Sequence, residues 1–358
     1  MADRPRRRRL RRTLLAALVT FAVAVPVSGA ARPAAVPAPA PTALGPLRDA
    51  GAAALEERYA VGRADIRAAE RAAARHGDLR RAAALRAMAA PGRQFLSFDG
   101  RDGGRSVEVV GELSGARRVA VLVPGAGVGL DAYGRLRRGA VDLQRELGEG
   151  GAVVVWLGYR SPATVSPASV TDARAVEAAP GLRALVDRLS ATLPEARITL
   201  LCHSYGSVIC ARAASGTAAD ALVLYGSPGT GYEDVDALRT GARVWAGRGG
   251  DDWIARVPHV RVRVPFVASL GFGTDPVADR FGAEVFDAGD GGHSDYLRPG
   301  SRSLTNLGRI ASGRAPVTAG DSGGSGTPET RRAPVEARAS GGSDTPETRH
   351  APVGARRG

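Results

Sequence analysis

The fold of this chain is decided by residues 197–210, which read Arg-Ile-Thr-Leu-Leu-Cys-His-Ser-Tyr-Gly-Ser-Val-Ile-Cys. An apolar run rich in β-branched residues, Ile198 to Leu201, predicts a strand, and the residues after the motif predict a helix. Ser204 stands between them, with Gly206 two positions later. In a nucleophile elbow, a serine occupies such a strand-to-helix turn, and small residues two before and two after it let the backbone bend. Cys202 occupies the first of those positions, where glycine is usual.

Strands and helices alternate on both sides of this motif. Two other continuous apolar runs, Val119–Val123 and Val153–Leu157, have the pattern of strands that are buried on both faces. The other predicted strands are Phe95–Phe98, Val107–Val110, Ala221–Tyr225, Val244–Ala246 and Glu284–Phe286, and the predicted helices between strands include Asp131–Leu147 and Ala178–Leu193. This order predicts an α/β fold: a mainly parallel, doubly wound sheet with the early hairpin as its antiparallel edge.

The N-terminal 30 residues have the three parts of an export signal. Residues 4–12 are rich in arginine, residues 13–31 are uncharged, and Ser28 to Ala30 offer small residues for cleavage. We therefore predict that residues 1–30 are an export signal and that the protein is secreted or belongs to the cell envelope. A retained single-span anchor is the alternative, and it would be the only route to a membrane. Arg11 and Arg12 also weakly resemble a twin-arginine signal, so the export route stays open.

Composition divides the rest of the chain into four segments. Residues 31–46 are rich in Pro and Ala, which is typical of a linker. Residues 47–92 predict a helical segment, with a break at Gly77-Asp78, and residues 93–312 form the α/β domain. Residues 313–358 contain a direct repeat, 322–335 and 340–353, without apolar periodicity, so we expect a disordered tail.

Charge and cysteine content exclude some functions. The formal net charge is +13, but residues 1–12 alone carry seven Arg and one Asp. The remainder is only mildly basic and has no aromatic residues interleaved with an Arg cluster, so no nucleic-acid partner is predicted. Cys202 and Cys210 are the only cysteines, and we interpret them as two small core residues rather than a structural disulfide.

A hydroxyl nucleophile needs a base and a carboxylate that orients the base, and both follow Ser204 in the chain. His293 lies on a glycine-rich loop after the last predicted strand, and Asp251 and Asp252 follow the strand at Val244. The carboxyl ends of parallel strands meet at one edge of a sheet, so Ser204, Asp252 and His293 can converge there. Asp252 is preferred over Asp251, because Trp253 looks like the start of a helical turn that would turn Asp251 towards solvent.

Each of these residues also has an ordinary structural explanation. Ser204 could be a helix N-cap, His293 a loop histidine bonded to backbone, and Asp252 a cap for the short helix that follows it. The catalytic interpretation is favoured because each of the three residues follows the strand after which that member of a triad is expected. If neither aspartate is the acid, Asp275 and Asp295 are the next candidates.

Acyl transfer also needs donors for the developing oxyanion. The backbone N–H of Tyr205 is one candidate, and the loop after the first central strand offers Ala126 as the other. The same loop could instead belong to a dinucleotide-binding motif, because Gly125 and Gly127 have the spacing of that motif after a strand. However, Leu130 stands where the third glycine should be, and no carboxylate follows the next strand for a ribose. We therefore predict no organic cofactor and no metal.

Several motifs together give the chain a family resemblance. They are Val121-Leu122-Val123-Pro124-Gly125, Trp156-Leu157-Gly158-Tyr159, the Ser204 elbow, Leu224-Tyr225-Gly226-Ser227-Pro228-Gly229, and Gly291-Gly292-His293-Ser294 with Tyr296 and Pro299. In these the chain resembles an actinobacterial family of α/β-hydrolase proteins of unassigned substrate, over about Phe95 to Ile310. The resemblance implies the α/β-hydrolase fold and carries Ser204, Asp252 and His293 over as the triad; it implies no substrate.

Two functions follow as hypotheses. The first is an exported serine hydrolase, with a carboxylic ester the preferred substrate over a thioester or amide, acting on a small-molecule or lipid-like acyl compound. The second is a catalytically silent binding or scaffold protein of the cell envelope with the same fold.

Overall fold

The computed structural model describes residues 36–164, 166–264 and 268–318. The predicted export signal and nearly all of the predicted C-terminal tail lie outside these residues. In the described part of the chain, no helix is both long and apolar enough to cross a membrane.

One eight-stranded sheet forms the centre of the structure. Its strands, in chain order, are β1 Gln94–Asp99, β2 Arg105–Val110, β3 Arg118–Val123, β4 Gly151–Leu157, β5 Arg197–His203, β6 Ala221–Tyr225, β7 Arg243–Gly247 and β10 Glu284–Val285. The remaining two strands, β8 Val262–Val264 and β9 Ala268–Leu270, form a separate hairpin. The strand order is β1-β2-β4-β3-β5-β6-β7-β10. β2 is antiparallel to both β1 and β4, whereas β3 to β7 and β10 run parallel. The predicted sheet, with the early hairpin as its antiparallel edge, is confirmed.

Within the described residues, six α-helices surround the sheet: α1 Ala52–Arg75, α2 Leu79–Met88, α3 Tyr133–Leu147, α4 Ala173–Thr192, α5 Tyr205–Ala213 and α6 Arg302–Ala311. One face of the sheet shares a buried core with α4 and α5, and the opposite face shares a second core with α2, α3 and α6. The central strands are buried on both faces, as their continuous apolar sequences predicted. This arrangement puts the loops that follow β3, β5, β7 and β10 at the carboxyl edge of the parallel strands.

The predicted break between the first two helices is confirmed. Helix α1 ends at Arg75, Gly77 has a φ of +85°, and the Asp78 side chain accepts a hydrogen bond from the Arg81 N–H at 2.9 Å. An aspartate N-cap of this kind satisfies one of the free N–H groups of the new helix.

Helix α4 begins earlier than predicted. It starts at Ala173 and contains Pro180, which the prediction had placed in the first turn. A proline inside a helix removes one donor, which here would serve the carbonyl of Val176. Val176 is 55% exposed, so water can take the place of the missing bond.

Two terminal segments contact the domain more closely than their composition indicated. In the stretch read as a linker, Thr42 bonds the Asp65 carboxylate through its N–H and its hydroxyl, at 3.1 and 2.7 Å. Beyond Gly313, where the sequence put the start of the tail, Val317 exchanges backbone bonds with the Asn306 side chain at 2.7 and 3.0 Å. The chain is therefore still held against α6 at Val317.

Candidate active site

The turn between β5 and α5 is a strained elbow with Ser204 at its apex. Ser204 has φ +52° and ψ −124°, a backbone conformation that residues other than glycine rarely adopt. Gly206 is required here, because a Cβ at this position would lie 2.5 Å from the Val123 carbonyl oxygen. The Ser204 N–H donates to the Tyr225 carbonyl at 3.0 Å, which fixes the turn to the end of β6. The predicted strand, turn and helix are thus in place.

The interpretation of the two cysteines was wrong. Cys202 and Cys210 form a disulfide, and their Cα atoms lie 6.4 Å apart. The positive φ at Ser204 folds α5 back beside β5, so a residue two before the serine comes to face one six after it. Both cysteines are fully buried. The side chain that replaces the usual glycine at Cys202 therefore has a bonded partner inside the core.

The structure brings the three predicted catalytic side chains together in one hydrogen-bonded chain. The Ser204 Oγ lies 2.9 Å from His293 Nε2, and His293 Nδ1 lies 2.9 and 3.0 Å from the two carboxylate oxygens of Asp252. Nδ1–H donating to the carboxylate leaves Nε2 free to accept from the serine hydroxyl. This arrangement can activate the serine as a nucleophile.

The carboxylate of Asp252 is buried and bonded on three sides. Besides His293, it accepts a hydrogen bond from the Tyr296 hydroxyl at 2.5 Å and one from the Ile254 N–H at 2.8 Å. Burial acts to raise the pKa of Asp252, but the bonds from His293, Tyr296 and Ile254 outweigh it and lower the pKa overall. The carboxylate is therefore held in its charged form. Asp251, in contrast, is exposed, as the sequence predicted.

The hydrogen bonds at the site also test the helix-capping roles that the sequence left open for Asp252 and Ser204. Asp252 does cap the short helix Trp253–Arg256, through Ile254, but this bond leaves it free to bond His293 as well. The Ser204 side chain makes no capping bond. Of the two reserve acids, Asp275 pairs with Arg248, and Asp295 accepts from the Gly292 N–H at 3.0 Å.

His203 lies directly behind the base. Its Nε2 is 2.9 Å from the His293 carbonyl oxygen, and the two imidazole rings are 4.7 Å apart between centroids. Burial, together with the nearby charge of His293, lowers the pKa of His203 to about 3. A neutral His203 can donate Nε2–H to the carbonyl, and this bond ties the histidine loop to the end of β5. The sequence alone did not identify this contact.

The two predicted oxyanion donors both lie beside Ser204. Tyr205 is the first residue of α5, so its N–H has no acceptor within the helix. The loop after β3 approaches so closely that a Cβ on Gly125 would lie 2.7 Å from the Ser204 Cβ. In that loop the Gly127 N–H is used by the Pro162 carbonyl at 2.8 Å, whereas the Ala126 N–H bonds no residue in the described part of the chain.

Tyr159 holds this loop in position, and sequence reasoning missed it. Its hydroxyl lies 2.9 Å from the Pro124 carbonyl oxygen and 3.0 Å from that of Gly125. In a trans peptide the C=O and the N–H point in opposite directions, so the Ala126 N–H points away from Tyr159. Tyr159 had been noted only as part of a motif, and its position two residues after β4, at the carboxyl edge of the sheet, was a further signal.

Tyr296 is the second residue whose role was missed. It had been noted only as part of a motif, and no spacing rule connects it to an aspartate 44 positions earlier. Among the described residues, no group of three or more His, Cys, Asp or Glu side chains is arranged to hold a metal ion.

Residues 99–262 match the sequence profile of a family described as alpha/beta hydrolase. Ser204 and Asp252 lie within the match and His293 lies beyond it. No curated protein sequence gave a match. That the chain comes from an actinobacterial branch with an unassigned substrate stays a prediction.

Among solved structures, the chain is similar to an α/β serine hydrolase without a lid from Xanthomonas campestris, at 19% sequence identity and a TM-score of 0.39. That match covers 62% of this chain and 93% of the other. The chain is also similar to the esterase LipW from Mycobacterium marinum, at 17% sequence identity and a TM-score of 0.40, and this match covers 74% of this chain and 91% of LipW. The strand order and the family match together show that this protein has the α/β-hydrolase fold and support a hydrolase.

Proposed function

We propose that this protein is an exported serine hydrolase that cleaves a carboxylic ester, or a thioester or amide, through an acyl-enzyme. The observation that carries the proposal is the continuous set of bonds from Ser204 through His293 to the buried Asp252. A fold of this type serves many chemistries, so the argument rests on these side chains and not on the architecture.

The geometry supports a two-step mechanism. His293 Nε2 takes the proton from Ser204 as its Oγ attacks the acyl carbon, and the N–H groups of Tyr205 and Ala126 stabilise the oxyanion that forms. His293 then gives this proton to the leaving oxygen, sulfur or nitrogen as the bond to the acyl carbon breaks. In the second step His293 takes a proton from water as the water oxygen attacks the acyl carbon. His293 then returns this proton to the Ser204 Oγ as the bond between the acyl carbon and Oγ breaks and the acid leaves. Asp252 stays charged throughout and balances the imidazolium.

Two features favour an apolar acyl group delivered outside the cytoplasm. Trp253 is 45% exposed, and its ring lies 4.6 Å from that of His293 between centroids, so an apolar surface lies at the mouth of the site. The disulfide between Cys202 and Cys210 is typical of proteins that mature in an oxidising compartment, which agrees with the predicted export signal.

Labelling with a fluorophosphonate probe tests the proposal. The wild-type protein and Ser294→Ala, which alters an exposed serine beside the base, should be labelled, and Ser204→Ala should not. A panel of p-nitrophenyl esters of increasing chain length then defines the acyl preference. A folded wild-type protein that resists the probe would instead support a silent binding protein.

A further inference from the structure

A cavity lies away from Ser204, between the segment before α1, the face of β1, β2 and β4, and helix α4. Its volume is about 520 Å³, within the usual range for small-molecule sites. Ser204, Asp252 and His293 do not line it. Nothing in the proposed hydrolysis uses this space.

Most of the cavity wall is apolar. Leu96, Val107 and Leu185 contribute aliphatic side chains, and the Trp156 ring lies among them. Gly158 lets this indole lie flat, because a Cβ there would come within 2.1 Å of the ring. The wall can therefore accept a hydrocarbon chain.

Two guanidinium groups that line this cavity have no ion-pair partner in the described part of the chain. Arg58 donates only to the Gly45 carbonyl, at 2.6 Å, and neither Arg58 nor Arg188 has a carboxylate partner in the described part of the chain. The Trp156 indole N–H likewise bonds no described residue, although Trp156 is only 3% exposed. Burial and the neighbouring charge of Arg188 lower the pKa of Arg58, which indicates an uncompensated positive charge.

The two carboxylates that also line the cavity do not compensate this charge. Asp99 is paired with Arg101 and Arg105. Asp65 accepts both bonds from Thr42. Its Cα lies two turns further along α1 than that of Arg58, a rise of about 10 Å. One end of the cavity thus offers two guanidinium groups, and a guanidinium pairs well with a carboxylate in a bidentate manner.

We propose that this cavity binds a medium-chain carboxylate, with its head group between Arg58 and Arg188 and its hydrocarbon chain against Leu96, Leu185 and the Trp156 ring. The proposal is independent of the hydrolase function. It requires only the fold and the cavity, and the ligand undergoes no reaction there.

The chain's three tryptophans allow a direct test by fluorescence quenching. The reference protein is Trp253→Phe, which removes the indole beside His293 and leaves Trp156 and Trp245. The probe is 10-bromodecanoate below its micelle-forming concentration, because bromine quenches indoles at short range. We expect saturable quenching, and we expect it to vanish when Trp156→Phe is added to the reference protein.

The head group is tested with Arg188→Gln and Arg58→Gln in the same background. Arg188 is exposed, so its replacement should leave folding intact and weaken binding severalfold, and the double variant should weaken it at least tenfold. 10-Bromodecanol, which has the same chain without the charge, should bind at least tenfold more weakly than the acid.

Four results would overturn the proposal. They are the absence of saturable quenching, quenching that survives the loss of Trp156, equal binding of the alcohol and the acid, and unchanged binding in Arg188→Gln. If the wild-type protein is quenched and the Trp253→Phe reference protein is not, the carboxylate binds at the candidate active site instead. Fluorophosphonate labelling of the same variants reports on the hydrolase separately, so failure of one proposal can be told from failure of the other.

Discussion

Replacement of Tyr296 by phenylalanine removes one hydroxyl that serves two groups at the candidate active site. This hydroxyl donates to the Asp252 carboxylate at 2.5 Å and accepts from the Gly249 N–H at 3.0 Å. A hydrogen bond to a charged group contributes about 1.5–3 kcal/mol, and a buried N–H left without a partner costs about 1–3 kcal/mol. Since Gly249 is buried, we expect Tyr296→Phe to lower the free energy of unfolding by about 3–5 kcal/mol.

The catalytic effect should be smaller than loss of the carboxylate itself. Asp252 keeps its bonds to His293 and Ile254, so the imidazole stays oriented but less firmly. We expect the turnover number on a p-nitrophenyl ester to fall by about tenfold, which corresponds to about 1.4 kcal/mol. The KM should not change, because Tyr296 is buried behind Asp252 and acts on the base through it.

The pH dependence separates this role from simple packing. The bond from Tyr296 is one of those that lower the pKa of Asp252, so its stabilisation is present while Asp252 is charged. It is present above the unfolded value of about 3.9 and is lost as the pH falls through the folded pKa. The stability difference between wild type and Tyr296→Phe should therefore be largest near neutral pH and shrink below about pH 4.

The matched control is Tyr225→Phe. The Tyr225 ring packs edge-on against that of Tyr296 at 5.1 Å between centroids, but its hydroxyl bonds no residue in the described part of the chain. Urea unfolding and steady-state kinetics on both variants should show little change for Tyr225→Phe. Equal losses in the two variants, or a Tyr296→Phe defect that is independent of pH, would refute the reasoning.

Three further predictions concern the same site. Asp252→Asn should reduce the turnover number by about 10⁴-fold and Asp251→Asn by less than about tenfold, measured on folded proteins, and the reverse order would reassign the acid. Because folding lowers the pKa of His203 to about 3, the unfolded chain binds more protons than the folded protein below about pH 6.5. The free energy of unfolding should therefore fall on acidification by at most about 1.4 kcal/mol per pH unit. In urea titrations, His203→Gln should make this dependence on pH less steep. Replacing Cys202 and Cys210 together with alanine should cost about 2–3 kcal/mol by thermal unfolding, and an unchanged melting temperature would contradict a role for the disulfide.

The elbow could be predicted because its signal is local. The apolar run before Ser204 and the small residue at Gly206 are consequences of a buried strand and a tight turn, and both can be recognised within ten residues. The choice of Asp252 over Asp251 was also local, since it depended only on the helical turn that starts at Trp253. The convergence with His293 then followed from the general geometry of parallel sheets.

Other features were missed because they depend on contacts across the fold. The disulfide between Cys202 and Cys210 could not be predicted from a strand and a helix considered one at a time. It becomes possible because the turn at Ser204 reverses the chain and places α5 beside β5. The bond from Tyr296 to Asp252 depends on how two loops pack, and no periodicity in the sequence reports it. The β8–β9 hairpin has three residues in each strand, too short for its alternation to be recognised.

Helix α1 has a consequence for how the sheet ends. Its first half packs into the core on one face through Leu55 and Tyr59, and its second half packs into the core on the other face through Ile66. The helix therefore crosses the end of the sheet at β1, and it comes so close that a Cβ on Gly62 would lie 2.6 Å from the Phe95 carbonyl oxygen. An uncovered edge strand can pair with the edge of another molecule. At its opposite end the sheet finishes in a strand of only two residues, β10, which offers little for such pairing. Helix α1 thus blocks the six-residue edge along which copies of this chain could otherwise join into extended sheets.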